Sequence, residues 1–213
     1  PDFPFGCAIA FLPQGYGVTV RIKSPGGENG GKSVDSAFSR INEFAGKHMS
    51  AYDIVSPHHE LVRLLKERKL TISSAESCTG GLFASMLTDI PGSSAVFGEG
   101  FVTYSNDSKF RTLSVNPQTL ALHGAVSEET VSEMLDGLLA VTDSGVVSAV
   151  SGIAGPDGGT EDKPVGTVFS GFCLRESGEK FIRKYNFSGD RLTVKKKSAD
   201  KLAVEIIKRI GRV

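Results

Sequence analysis

Four stretches of the chain combine residue types that could do chemistry. Three are rich in glycine and serine: Ala75-Glu76-Ser77-Cys78-Thr79-Gly80-Gly81, Pro91-Gly92-Ser93-Ser94, and the long run from Ser151 through Ala154 and Pro156 to Gly159. Each reads as a loop leaving a strand, and in an open α/β sheet such loops gather at the carboxyl ends of the strands, where ligands bind. A strand-to-helix turn with two glycines, as at Gly80-Gly81, lets backbone N–H groups converge on one point and hold a phosphate or an oxyanion. Loops of this composition are also ordinary turns, so residue type alone does not decide between the two. The fourth stretch is Tyr104-Ser105-Asn106-Asp107-Ser108-Lys109. If Tyr104 ends a strand and Lys109 lies on the following helix, both side chains face one cleft. A lysine is ordinarily a solvated cation, but in an enclosed site it loses its proton and can serve as general base for a serine hydroxyl.

Other chemical patterns carry less. Gly26-Gly27-Glu28-Asn29-Gly30-Gly31-Lys32-Ser33 satisfies the phosphate-binding P-loop pattern, in which backbone N–H groups cradle phosphates and Lys32 reaches the terminal ones. That loop needs a parallel sheet behind it and a second strand with a magnesium-binding Asp, and neither fits within residues 1 to 56. A solvated hairpin-to-helix turn is the better account. His48, His58, His59 and His123 are poorly placed for the Gly/Ser loops, and His58-His59-Glu60 lacks a second His at the i+4 spacing of a zinc helix. No metal is expected. Cys78 adjoins Ser77, but successive turn residues point apart and a small buried Cys is the default.

The elements that must position these loops follow from periodicity. Before residue 56, alternating apolar residues predict strands at Ala8–Leu12 and Val18–Lys23, and a helix is expected from Ser33 to about Lys47 with Val34, Ala37, Phe38, Ile41 and Phe44 on one face. A short strand at Tyr52–Val55 closes this stretch. Ser56-Pro57 then opens a helix to about Lys69. Beyond it, strand Leu70–Ala75, helix Gly80–Asp89, strand Phe101–Tyr104, a helical stretch Asp107–Leu113, helix Ser127–Val141 and the buried strand Gly145–Ile153 alternate. Strands Val165–Cys173 and Lys180–Phe187 form a hairpin, and helix Asp190–Ile210 follows. This order predicts a three-layer α/β/α domain with a mixed sheet over residues 57–213, preceded by a small α+β module over residues 1–56.

Composition narrows the function classes. The 213 residues carry 24 Lys+Arg against 24 Asp+Glu, a balance that argues against a dedicated non-specific DNA binder. Lys195, Lys196, Lys197, Lys201, Lys208 and Arg209 read as the solvated face of the last helix rather than a nucleic-acid patch. Cys7, Cys78 and Cys173 are odd in number and far apart, which fits a reducing cytoplasm and no disulfide framework. The apolar run Cys7–Leu12 is too short for a signal peptide or membrane anchor. The chain opens at Pro1 and reads as a fragment of something longer.

Seven motifs in fixed order resemble one known family: Ala75–Gly81, Pro91–Ser94, Val102–Asn106 with Lys109, Gly124–Ser127, Gly152–Pro156, Lys163–Val168 and Gly189–Arg191. Together, over about residues 57 to 211, they resemble the C-terminal domain of the CinA (competence/damage-inducible protein A) family. The first 55 residues resemble, less specifically, the KH-type module that precedes this domain in long members, and Gly27-Glu28-Asn29-Gly30 matches the GxxG spacing of such modules. Those long members carry a further N-terminal domain that resembles molybdopterin-binding proteins and is associated with ADP-ribose pyrophosphatase activity.

The resemblance implies a serine amidohydrolase acting in pyridine nucleotide recycling, converting nicotinamide mononucleotide and water to nicotinic acid mononucleotide and ammonia. It implies Ser77 as nucleophile, Lys109 as the base that activates it, and Tyr104 in the same hydrogen-bonded group. Thr79, Gly80, Gly92, Ser94, Ser151 and Ala154 would line the nucleotide site, and Arg191 would meet the nucleotide at its phosphate. Arg191 is also the candidate cation for keeping Lys109 neutral. The family has Thr where this chain has Ser151, which keeps the hydroxyl and drops a methyl. No cofactor is implied, and homodimers are expected. The competing readings are a non-catalytic competence- or damage-linked protein that binds nucleic acid or a partner, and a nucleoside triphosphatase using Lys32.

Overall fold

The computed structural model describes residues 6–14, 17–24, 26–27, 30–45 and 56–211. The chain divides into two compact units, Pro1–Asp53 and Ile54–Val213. In the first, β1 (Ala8–Gln14) and β2 (Gly17–Lys23) pair antiparallel, in register from Ala8 opposite Lys23 to Gln14 opposite Gly17. Helix α1 (Gly30–Ala45) follows and buries Ala37 completely. The end of the P-loop-like pattern, Gly30 to Ser33, forms the first turn of this helix. Among the described residues of this unit no parallel strand lies behind that turn, so a triphosphate cradle there lacks its sheet. The expected strand Tyr52–Val55, and Glu28 and Asn29 of the GxxG spacing, lie outside the described residues.

The second unit is the predicted α/β domain. Ser56 caps α2 (Pro57–Glu67) by accepting from the His59 N–H, with Pro57 at the first helical position. The rest runs β3 (Ile72–Glu76), α3 (Leu82–Thr88), a single 3₁₀ turn at Ser93–Ala95, β4 (Phe97–Val102), α4 (Asn106–Leu113), α5 (Pro117–His123), α6 (Glu128–Val141), β5 (Val146–Gly152), β6 (Thr167–Leu174), β7 (Glu179–Asn186) and α7 (Arg191–Ile210). The sheet order is β4-β3-β5-β6-β7. The β4, β3 and β5 strands are parallel, and β6 and β7 return antiparallel.

Side chains alternate across this sheet and divide the core in two. Ile72, Val146, Val150, Val168 and Phe172 meet Leu61 and Leu65 of α2, Phe83 of α3, and Leu202 and Ile206 of α7. On the other face Ala75, Val147, Ala149 and Cys173 meet Leu113, Val131, Met134, Leu135 and Leu138. Each large apolar side chain removed from water in this way stabilises the fold by about 1.5–3 kcal/mol. The same packing places the chemistry: a Cβ on Gly137 of α6 would collide with the Leu113 carbonyl, so α6 holds the end of α4 at backbone contact. Helix α4 carries Lys109.

Two elements differ from the sequence reading. Strand β4 lies four residues earlier at its start than predicted, because Phe97-Gly98-Glu99-Gly100 has no apolar alternation. Its glycines serve close approach: a Cβ at Gly98 would come 2.9 Å from Ser144 Oγ, and one at Gly100 would come 3.3 Å from the Ala84 methyl. Helix α5 was not predicted, although Asn116-Pro117 is the same cap-plus-proline signature as Ser56-Pro57, and the Asn116 side chain accepts from the Gln118 N–H at 2.9 Å. Among the described residues no helix is long and apolar enough to cross a membrane.

Candidate active site

Ser77 is the first residue beyond β3. Its N–H donates to the Val150 carbonyl at 2.9 Å, so the β3–β5 pairing continues up to the serine itself. The chain then reverses through Gly80 (φ +62°) and Gly81 (φ +89°), left-handed conformations that suit glycine, and enters α3. Glu76 holds this turn from below. Its carboxylate is almost fully buried and accepts from the Phe83 N–H at 3.0 Å and the Ala84 N–H at 2.8 Å. The expectation that the helix-start amides are open to a ligand is therefore corrected, since a carboxylate of the chain already occupies two of them. What stays open is the turn itself: among the described residues the N–H groups of Thr79 and Gly81 have no backbone or side-chain acceptor.

Removing that clamp has a defined cost. Glu76→Ala strands two N–H groups in the core and is expected to lower unfolding free energy by about 2–3 kcal/mol, with Glu76→Gln intermediate because it keeps one acceptor oxygen. Urea denaturation monitored by circular dichroism measures this, and a shift below about 0.5 kcal/mol for Glu76→Ala would show that the clamp contributes little.

Lys109 reaches the serine from α4. Ser105 caps that helix by accepting from the Ser108 N–H, which sets Lys109 in the first turns facing the sheet. The lysine is completely buried, with Nζ donating to the Thr103 carbonyl at 2.8 Å and lying 3.0 Å from Ser77 Oγ. Among the described residues no carboxylate pairs with it. Burial brings its pKa down to about 8, while negative charge on the neighbouring Cys78 would act the other way. Arg191 is not among the causes, so the expectation that it favours the neutral amine is corrected: desolvation is what lowers the pKa, and about a tenth of the molecules carry the free amine at pH 7. Cys78 is buried too, and its thiol is pushed up to about 12, first by burial and then by Glu76. At neutral pH it stays a protonated thiol, a poor nucleophile.

The other expected site residues divide. Tyr104 is exposed, and its hydroxyl accepts from Arg191 Nη2 at 2.7 Å; among the described residues it has no hydrogen bond to Ser77 or Lys109. Arg191 also donates from Nη1 to the Gly155 carbonyl at 2.8 Å, tying Tyr104 to the third loop. Ser151 is buried beside Val150, and its hydroxyl donates to the Ala125 carbonyl at 2.7 Å, so it fastens the third loop to the turn before α6. Ala154 is buried in the core under that loop. Thr79 is buried with its hydroxyl unpartnered, and Gly80 lies in the turn.

Gly92 and Ser94 are placed elsewhere. Their loop follows α3 rather than a strand and leads into the start of β4, where Phe97 pairs with Ile72. That is the amino end of the parallel strands, roughly 17 Å along the chain from Ser77 at about 3.3 Å per residue. There Gly92 lies against Lys66, whose Nζ is 3.4 Å from the Pro91 carbonyl. Within this chain they do not share the Ser77 pocket.

Sequence reasoning missed three contributors: the Glu76 clamp, the Thr103 carbonyl and Lys195, whose Nζ would lie 3.6 Å from a Cβ on Gly80. Only the last had a readable signal, being one helical turn after Arg191. Among the described residues no group of three His, Cys, Asp or Glu could hold a metal ion.

This arrangement can be compared with known proteins. Residues 55–210 match the CinA C-terminal domain family. A CinA-like protein of Chloroherpeton thalassium is 44% identical over 206 residues, covering 92% of this chain and 48% of its own length. One from Thermotoga maritima is 45% identical over 166 residues, covering 78% of this chain and 40% of its own. The chain thus spans about half the length of the relatives it matches. Among solved structures, the competence damage-inducible protein A of Klebsiella pneumoniae superposes with a TM-score of 0.70 at 36% identity, covering 74% of this chain and 98% of that one. A competence/damage-inducible protein of Agrobacterium tumefaciens gives 0.68 at 36% identity, covering 76% and 100%. With matching motifs, sheet and chain coverage in agreement, this chain belongs to the CinA family through its C-terminal domain.

Proposed function

We propose that the chain is a serine amidohydrolase that hydrolyses the carboxamide of nicotinamide mononucleotide to nicotinic acid mononucleotide and ammonia. The observation that carries this reading is a completely buried lysine, without a carboxylate partner, 3.0 Å from a serine hydroxyl at the end of a central strand. A structural lysine gains nothing from such a place; a general base needs it.

An amide is a poor electrophile, so the reaction needs both an activated nucleophile and donors for the oxyanion. The neutral Lys109 amine takes the Ser77 proton as Oγ bonds to the carboxamide carbon. The oxygen of that carbon becomes an oxyanion, for which the unpaired N–H groups of the Cys78–Gly81 turn are the available donors. Collapse breaks the C–N bond, and protonated Lys109 returns its proton to the leaving nitrogen, releasing ammonia and leaving a Ser77 ester. The amine then deprotonates a water, which attacks the ester and frees the acid and Ser77. The Thr103 carbonyl keeps Nζ in place throughout by accepting one of its protons. The nucleotide is read by the residues around the turn and the third loop.

The test is direct: purified chain with nicotinamide mononucleotide is expected to release ammonia and nicotinic acid mononucleotide in equal amounts. The absence of both products between pH 7 and 9 would sink the proposal.

A further inference from the structure

Helix α2 packs against α3 and α7, and the seam encloses two ionisable side chains that the reaction does not use, His58 and Asp200, each 1% exposed. His58 is the second residue of α2, and its ring meets Phe83 of α3 edge-on, with centroids 5.7 Å apart. From α7, Asp200 brings Oδ1 to 3.7 Å from His58 Nδ1, too far for a hydrogen bond, while its Oδ2 accepts from Lys196 at 2.7 Å. Among the described residues, neither ring nitrogen of His58 nor Oδ1 of Asp200 has a hydrogen-bond partner. Burying polar atoms unpartnered costs free energy, and an apolar side chain of similar size would fill the seam without that cost.

The seam disfavours an imidazolium. Burial acts most strongly, the charges of Lys196 on α7 and His59 on α2 add to it, and the backbone at Ala199 opposes them. His58 also lies in the first turn of α2, the end of a helix that repels a cation. Asp200 is a poor counter-ion, because burial makes its own charge costly and Lys196 already neutralises it. Together these hold the His58 pKa at about 4, against an ordinary 6.5. Between those values an opened seam takes up a proton that the closed seam refuses, so stability present above about pH 6.5 is lost as pH falls. Asp200, pushed up from its ordinary value by burial, acts in the opposite sense at the acid end. Phe83 connects the seam to the catalytic turn, since its N–H donates to Glu76, the residue before Ser77.

We propose that His58 is an acid-sensitive latch: while neutral it lets α2 close against α3 and α7, and on taking up a proton it releases α2 and loosens the start of α3 that holds the Ser77 turn. The latch goes beyond the amidase reading and does not depend on it.

The experiment follows amide hydrogen exchange by mass spectrometry in the whole chain at pH 7 and pH 5, corrected for intrinsic rates, in wild type, His58→Leu and His58→Gln. In wild type, protection of the α2 amides and of Phe83 and Ala84 is expected to fall about 20-fold at pH 5, the ratio for a site of pKa 6.5 when open and about 4 when closed. Amides of α6, on the other face of the sheet, are expected to change by less than about threefold, as are those of α2 in both variants. A similar loss in wild type and the variants, no loss in wild type, or an equal loss in α6 overturns the latch. Loss in α2 with Phe83 and Ala84 unchanged overturns its link to the Ser77 turn. Should neither variant fold, an NMR titration of the wild-type imidazole decides. Its midpoint is expected near pH 4, and a midpoint at or above about pH 6 in the folded chain overturns the proposal.

Discussion

Replacing Ser77 by alanine is expected to lower ammonia release from nicotinamide mononucleotide by at least about 1,000-fold while leaving the fold intact. The reaction as drawn passes through an ester on Ser77 Oγ, and no neighbouring group can substitute for it. Cys78 is the adjacent candidate, but its thiol is buried and pushed up to about 12, so a negligible fraction is thiolate at neutral pH. The residual rate is what binding and backbone donors give to water alone. Stability should change by about 1 kcal/mol or less, because the hydroxyl's recorded side-chain partner is Lys109 Nζ. A coupled ammonia assay beside a thermal melt checks both halves. A Ser77→Ala protein retaining a tenth of wild-type kcat would remove the serine from the mechanism.

Lys109→Met is expected to match that loss of activity while moving stability in a pH-dependent direction of its own. With a folded pKa of about 8 against an ordinary 10.5, the lysine is mostly protonated at pH 7, and about a tenth of molecules carry the free amine. Wild-type kcat/KM should accordingly rise with pH and level off above about pH 8. The sign for stability follows from proton counting. Between about pH 8 and 10.5 the unfolded chain binds the proton that the folded chain has released, so this group adds stability as pH rises. Below about pH 8 the full cost of a buried ammonium is present, on the order of 3 kcal/mol. Lys109→Met lacks this contribution. Its stability relative to wild type should therefore be highest near pH 7 and decline by about 3 kcal/mol toward pH 10.5, as read from urea midpoints across that range. A difference that stays constant from pH 7 to 10.5 would mean that the amine is not desolvated.

Both predictions depend on a pair whose members were legible separately. Residue type and periodicity marked the Ser77 turn, with its two glycines, and Lys109 on the following helix as candidates, and the family resemblance supplied their pairing as nucleophile and base. The layers were legible from periodicity, since β5, α6 and α7 are strongly patterned and bury apolar side chains. Strand β4 was misplaced because Gly98 and Gly100 interrupt the pattern, and glycines there serve close approach to Ser144 and Ala84 that no local rule records. Helix α5 was missed despite a readable cap, because at seven residues, none of them buried, it has no apolar stripe to follow.

By itself, the order of residues determined which groups exist and that the Ser77 and Ser151 loops leave strands, and its charge balance and scattered cysteines argue against a DNA-coating protein or a disulfide scaffold. Those are properties of short windows, set by backbone sterics, capping and burial of one face. Tertiary structure alone decided the rest. It set Nζ of Lys109 3.0 Å from an oxygen 32 positions earlier in the chain. It gave the helix-start amides of α3 to Glu76, turned Arg191 toward Tyr104 and Gly155, and carried Gly92 and Ser94 to the far end of the strands. The physical reason is that an amine's proton affinity and a donor's availability depend on everything packed around them. That packing is fixed only when α6 presses α4 onto the sheet and the parallel strands come into register.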